Sequence, residues 1–324
     1  GVSLKNIVWL VIILYVYTVI KSSKISNSNN RLFYKISERG QIENLVLNIH
    51  LTDSAVAYYG TGAIFVQNYG TIKDLQVNVV EAYNQAYTYM EGLIGWENMG
   101  TIDGFVINYG QTIYGNEQFS LINISYGNIK NGYIYGKSIE NYTNSASNSA
   151  FTPFLRTNQA EGRVENVFVL NSTKISTKNA PSNAEANFTI NNYGTLNNIY
   201  SVDLNNDSTI SRGPNVSINN ATVTNSYYFS NNIYTNSIDI KSSELALYDT
   251  EFQNQIINSE NRFNTSELIE KGYFPWLKFD KCMPAQSYIE LPAKKDEDLA
   301  DITSIEVLEK TNNTAKVKFI VNNK

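Results

Sequence analysis

One cysteine, Cys282, and one histidine, His50, stand in 324 residues. A lone thiol excludes an internal disulfide, so burial and hydrogen bonding must hold the fold. A lone imidazole excludes the His-Glu-x-x-His zinc site of metalloproteases, which needs two. Thiol and imidazole lie far apart in the chain, which leaves a Cys–His nucleophile pair without support and assigns His50 to a strand face or corner. Glycine fingerprints for nucleotide phosphates are missing too. Charged side chains make up only 17% of the chain and the net charge is −5, with no basic stripe interleaved with aromatics. That balance argues against a nucleic-acid partner. Long helices would need more Ala, Leu, Glu and Lys than the sequence offers.

In place of charge there is Asn, Ser, Thr and Tyr, with 23 tyrosines and only 6 prolines. Tyr, Ile, Val and Asn in this mixture favour strands joined by polar turns. Ile7 to Ile20 is a nearly unbroken apolar run between Lys5 and Lys21. It is shorter than the roughly 20 residues a membrane helix needs, and no small-x-small cleavage site follows it. Two readings stay open. The run forms buried first coils, so that the chain begins inside a domain, or it is a targeting segment that brings the first 20 residues to a membrane.

One phrase then recurs. It reads Gly40-Gln-Ile-Glu-Asn-Leu-Val-Leu, Gly70-Thr-Ile-Lys-Asp-Leu-Gln-Val and Gly100-Thr-Ile-Asp-Gly-Phe-Val-Ile. It returns at Gly127, Gly162 and Gly194, and in weaker form at Ala221, with 27 to 35 residues between starts. A repeat of about 30 residues with this content predicts an all-β, right-handed parallel β-helix, a solenoid of stacked coils. Leucine-rich repeats have a shorter period and a denser Leu frame, and propeller blades a longer period with four strands.

Each place in the phrase has a physical role. The turn glycines Gly40, Gly70, Gly100, Gly127, Gly162 and Gly194 supply a positive φ or a close approach. Two residues on, Ile42, Ile72, Ile102, Ile129, Val164, Leu196 and Val223 stack inside the coil. Four residues on stand Asn44, Asp74, Asn131, Asn166, Asn198 and Asn225, with Gly104 the exception. These side chains form a ladder from coil to coil or cap their own turns. Six residues on, Tyr133, Phe168, Tyr200 and Tyr227 make an aromatic stripe. Exposed, it is a binding surface for sugar rings or a protein partner; buried, it packs against loops or a neighbouring domain. Asn68, Asn98 and Asn192 mark a second corner two residues before the glycine, with Tyr69 and Tyr193 directly before it. The polar stretches Gln111–Gln118, Glu140–Ala150 and Thr177–Ala186 are expected to project as loops.

The repeats occupy residues 31–241. Residues 242–293, with short helical or irregular segments at Ser242–Asn258 and Asn264–Lys271, are expected to cap the open end of the solenoid. Residues 294–324 read as a charged linker and the first β-hairpin of a following small β domain. A hairpin alone is marginal in water, which implies that the protein continues.

Acidic residues are few. Asp74 and Asp103 fall at different phases, while Glu43, Glu165 and Asp103 share a row with Lys73, Lys130 and Asn197. Mixed charge on an outward strand face explains that row without an active site. A polysaccharide lyase or hydrolase, the least favoured reading, would need three or more carboxylates in one groove. No catalytic residue and no metal ligand is assigned in this chain.

The Gly-x-Ile-x-Asn-Leu repeat, the run Gly62–Ile72, and the Tyr273-Phe-Pro-Trp-Leu and Cys282-Met-Pro-Ala-Gln blocks resemble the region N-terminal to the catalytic domain of IgA1-specific zinc metalloendopeptidases of Gram-positive bacteria. The likeness spans roughly residues 31–324, and the repeat phrase alone also occurs in adhesin-like surface proteins. The resemblance implies a secreted or surface-attached bacterial protein whose β-helix is non-catalytic and serves substrate recognition or as a spacer. Zinc is implied only in a downstream catalytic domain, and no cofactor in this chain. The implied partner is a host glycoprotein such as IgA1, or a glycan. A stand-alone adhesin is the runner-up. Leu291-Pro-Ala-Lys-Lys is not a sortase Leu-Pro-x-Thr-Gly signal.

Overall fold

The computed structural model describes residues 13–14, 19–24, 32–51, 64–82, 92–110, 113–115, 118–136, 139–141, 150–171, 175–177, 184–185, 188–203, 215–218, 221–230, 241–242, 263–264, 276–277, 301–310 and 315–322. It forms two compact units, Gly1–Leu291 and Pro292–Lys324. The first is an all-β parallel solenoid, and every described coil pairs in parallel with the next.

Each phrase forms one strand of a long sheet. Numbered from the amino-terminal end, coils one to six contribute Gln41–Leu51, Thr71–Ala82, Thr101–Tyr109, Asn128–Gly136, Arg163–Asn171 and Thr195–Asp203. Coil seven contributes Thr222–Thr224 and Tyr227–Ser230. The strand before each glycine belongs to a second, 7-stranded sheet: Phe33–Ile36, Phe65–Asn68, Gly95–Asn98, Ile122–Ser125, Leu155–Asn158, Thr189–Asn192 and Asn215–Ile218. Below coil one, Ile13–Leu14 and Val19–Lys24 also pair in parallel with Gln41–Leu51.

A kink in each long strand decides which side chains go inside. The residue four after the glycine is left-handed in every coil: φ is 56° at Asn44 and Asp74, 58° at Asn131, 54° at Asn166, 53° at Asn198 and 46° at Asn225. Gly104, the exception in type, shares the conformation at φ 78°. Asn, Asp and Gly are the residues that enter this region at least cost. The kink resets the alternation of the strand, so positions two, five and seven all face inward. Ile72, Leu75 and Val77 of coil two, and Ile102, Phe105 and Ile107 of coil three, are buried in one core. Large side chains nest over small ones. A Cβ on Gly132 would run into the Phe105 ring, and one on Gly95 into the Phe65 ring. Phe105 stacks on Phe154 at 5.9 Å, and Phe154 meets Phe188 at 4.9 Å.

The turn glycines answer to close approach and not to backbone sign. The described glycines with positive φ are Gly92, Gly104 and Gly136. At the turns, Thr71 N–H donates to Gly40 O at 2.9 Å, Thr101 to Gly70 O at 2.8 Å and Asn128 to Gly100 O at 2.9 Å. A Cβ on Gly70, Gly100, Gly127 or Gly194 would overlap the carbonyl oxygen of the turn glycine one coil earlier.

One expectation needs correction. The stretches after coils three, four and five are not simply loops. Ile113–Gly115, Ile139–Asn141 and Ile175–Thr177 stack as one 3-stranded parallel sheet, and Gln118–Phe119, Ala150–Phe151 and Ala184–Glu185 as another. Ile113, Ile139 and Ile175 pair at the same register in the first of these sheets. Lys241–Ser242 is a short strand at the start of residues 242–293, and Phe263–Asn264 runs antiparallel to Trp276–Leu277. The latter lies with Cα atoms within 8 Å of the coil-three and coil-four strands. The remainder of Ser242–Asn258 and Asn264–Lys271, like Cys282, lies outside the described residues.

In the second unit, Asp301–Lys310 and Ala315–Asn322 form an antiparallel hairpin. Among the described residues no helix is long and apolar enough to cross a membrane.

Candidate functional site

Three polar rows run along the solenoid, and each ties one coil to the next. At the left-handed corner, Asn166 Nδ2 donates to Asn131 Oδ1 at 3.2 Å and Asn198 Nδ2 to Asn166 Oδ1 at 2.9 Å. Gly104 has no amide to continue the row, and Asn131 Nδ2 turns to Asp103 Oδ1 at 2.8 Å. At the far end Asn225 Nδ2 reaches Asn197 Oδ1 at 3.5 Å.

The second row lies two residues before the turn. Asn68 Nδ2 donates to Asn98 Oδ1 at 2.8 Å, Asn98 Nδ2 to Ser125 Oγ at 3.1 Å, and Asn158 Nδ2 to Asn192 Oδ1 at 2.8 Å. All five residues are buried. Asn68 Oδ1 also accepts from Gly70 N–H at 3.1 Å, an Asx-type turn within the same coil. Ser125 and Asn158 were not legible as members. Serine changes the residue type, and two extra residues separate Asn158 from Gly162, closed by Gly162 N–H donating to Gln159 O at 2.8 Å.

The third row is charged and half-exposed. Glu43, Lys73, Asp103, Lys130 and Glu165 sit in register on successive coils, so the sign alternates. Lys130 Nζ lies 3.6 Å from Asp103 Oδ2, and Asn197 Nδ2 donates to Glu165 Oε1 at 3.0 Å. Lysines separate the carboxylates. Among the described residues no group of three or more His, Cys, Asp or Glu is placed to hold a metal ion.

The aromatic stripe is not a surface. Tyr133, Phe168 and Tyr200 are buried, and their rings follow one another at 6.4 and 6.1 Å. They point away from the inner core, because their neighbours Gly132, Val167 and Ile199 point into it. An outer cover therefore removes them from solvent, and they offer no face to a ligand. Nothing is described of the Tyr227 side chain. Burial, and secondarily the neighbouring Tyr135, pushes the Tyr133 hydroxyl well above its ordinary pKa. Burial does the same at Tyr109, inside the coil, whose hydroxyl donates to Pro153 O at 2.9 Å.

A different tyrosine row is open. Tyr69, Tyr126 and Tyr193 directly precede the turns of coils two, four and six. Tyr126 and Tyr193 keep 39% and 37% of their surface exposed. Their backbones are fixed: Tyr126 N–H donates to Asn98 O at 2.7 Å and Tyr193 N–H to Asn158 O at 2.8 Å. Lys35 Nζ sits 4.3 Å from the centroid of the Tyr69 ring, a cation–π contact at the rim of the row. At a coil spacing of roughly 4.8 Å, tyrosines on alternate coils repeat every ~10 Å. Such a row can stack on sugar rings or anchor an apolar protein surface, each phenol offering a hydrogen bond at its edge. Its signal in the sequence is Tyr before Gly in three alternate coils.

No family model, no curated protein and no solved structure matches the chain.

Proposed function

We propose that this chain is a non-catalytic recognition module of a secreted or surface-attached bacterial protein resembling the IgA1 metalloendopeptidases, with the chemistry, and any zinc, in another part of that protein. The observation that carries the reading is the tyrosine row Tyr69, Tyr126 and Tyr193, partly exposed at a corner where each backbone N–H is hydrogen-bonded to the coil before. Rigid aromatic anchors lose little conformational entropy on binding, which suits a recognition surface better than a plain spacer. The partner is a host glycoprotein such as IgA1.

The test is surface plasmon resonance of the whole chain on immobilised IgA1, with IgA2 and deglycosylated IgA1 beside it. Selective, saturable binding that the pair Tyr126→Ala and Tyr193→Ala weakens by about tenfold or more supports the reading. Absence of binding at tens of micromolar removes IgA1 as partner, and binding indifferent to both substitutions removes the row.

The alternate-coil spacing also favours a second reading, an adhesin for an extended glycan. In that case free oligosaccharide competes for the surface and deglycosylation abolishes binding.

A further inference from the structure

The outer face of the long sheet changes character along the axis. Position six carries Val46, Gln76 and Val106 in coils one to three, then Tyr133, Phe168 and Tyr200 in coils four to six; position eight carries Asn48, Asn78 and Asn108, then Tyr135, Leu170 and Val202. Asn78 Nδ2 donates to Asn48 Oδ1 at 2.9 Å at half-buried position eight, while Val46, Gln76 and Val106 at position six are buried. From coil four the same face is aromatic. Yet Tyr133, Phe168 and Tyr200 are no more than 1% exposed, although none belongs to the inner core. Side chains on the outside of a solenoid reach such burial only under a second layer.

Phe263–Asn264 pairs with Trp276–Leu277, and Trp276–Leu277 lies with Cα atoms within 8 Å of the strands of coils three and four, where position six changes from Val106 to Tyr133. We propose that this pair is part of an intramolecular strap that docks on the outer face of the long sheet and seals the row Tyr133, Phe168 and Tyr200. The strap makes that face a docking surface already filled by the chain itself. A partner for it gains access only by displacing the strap, whereas the open Tyr69–Tyr193 row stays available with the strap in place.

The test uses the full chain and reads two sites. Tyrosine nitration with mass-spectrometric mapping compares Tyr133 with Tyr34, which is 65% exposed in the same molecule. Tyr133 is expected to resist reagent that modifies Tyr34. In the variant Trp276→Ala, Leu277→Ala its reactivity is expected to rise towards that of Tyr34. Hydrogen exchange reads the reverse direction: Phe168→Asp should release the amides of 263–264 and 276–277 while those of Ile72 and Ile102 in the inner core stay protected. If Phe168→Asp unfolds the chain, the nitration arm decides alone, because its substitutions lie outside the coils. Tyr133 that remains unreactive in a folded Trp276→Ala, Leu277→Ala chain overturns the strap, as does unchanged exchange at 276–277 in a folded Phe168→Asp chain.

Discussion

Asn198 hands its side-chain amide to Oδ1 of Asn166 at 2.9 Å while both residues sit in the left-handed region, at φ 53° and 54°. One residue type thus meets two demands: it tolerates the kink that points positions two and five inward, and at Asn166 it bonds to the coils on either side. The demands separate by substitution. Asn166→Ala forfeits two ladder bonds worth about 1 kcal/mol each and adds about 1 kcal/mol of backbone strain. Asn166→Gly forfeits the bonds and none of the strain. Urea titration of the full chain should place alanine about 3 kcal/mol below the parent, with glycine recovering part of that loss. Equal midpoints for the two would mean that the kink imposes no conformational demand.

Gly100 and Gly132 are both indispensable as glycine, for opposite kinds of neighbour. A Cβ at Gly100 meets the backbone carbonyl of Gly70, which cannot move without breaking its bond to Thr101 N–H. A Cβ at Gly132 meets the Phe105 ring, a side chain that can be shortened. Each alanine substitution should cost on the order of 3 kcal/mol as overpacking. Phe105→Leu should recover at least about 1 kcal/mol in the Gly132→Ala background and nothing in the Gly100→Ala background. A double-mutant cycle from denaturation midpoints measures this, and rescue of both or of neither would refute the distinction.

The coil, its inward positions and its corner asparagines were readable because each depends on neighbours a fixed distance away in sequence. Gly at the start of the phrase, Ile two residues later and Asn four residues later repeat with the coil itself. What was not readable depends on partners at no fixed distance. Tyr133, Phe168 and Tyr200 form a regular row, but periodicity cannot say whether a row six residues past the turn is covered. Ile113, Ile139 and Ile175 stack in register, yet each is a single apolar residue in a polar stretch, too little for alternation to register. The turn glycines fitted either of two causes, and only the carbonyl that Gly100 and its equivalents meet one coil earlier selects close approach.

The alternating row tests whether charge helps fix the pairing of coils. Lys130 lies in register between Asp103 and Glu165. Lys130→Glu would put three carboxylates on consecutive coils. Like charges directly opposite cost up to about 1 kcal/mol each way at a half-exposed site, and salt screens them. The expected result is a loss of about 1 kcal/mol at low ionic strength that shrinks at 1 M sodium chloride. A loss that salt does not change would assign the effect to packing of the lysine stem instead.

Tyr109 and Tyr133 should respond in opposite ways to losing a hydroxyl. Tyr109 Oη donates to the Pro153 carbonyl at 2.9 Å inside the coil, so Tyr109→Phe orphans a buried acceptor and should cost about 1–2 kcal/mol. Tyr133 Oη is buried with no hydrogen-bond partner among the described residues. Tyr133→Phe should therefore be neutral or stabilising by up to about 1 kcal/mol at neutral pH. Alkaline behaviour gives a second reading of the same pair. Both hydroxyls have folded-state pKa values raised well above 10.0 by burial, so the folded chain holds these protons more tightly than the unfolded one. Their contribution is fully present below pH 10.0 and is lost as pH rises from there through the folded-state values. Phenylalanine at either position removes one titrating group, so each variant should lose stability less steeply than the parent beyond pH 10.0. Denaturation midpoints followed from neutrality into that range measure both effects. Should Tyr133→Phe prove as costly at neutral pH as Tyr109→Phe, Tyr133 must donate to an acceptor in the layer that covers it, and the search for that acceptor would begin in the strap.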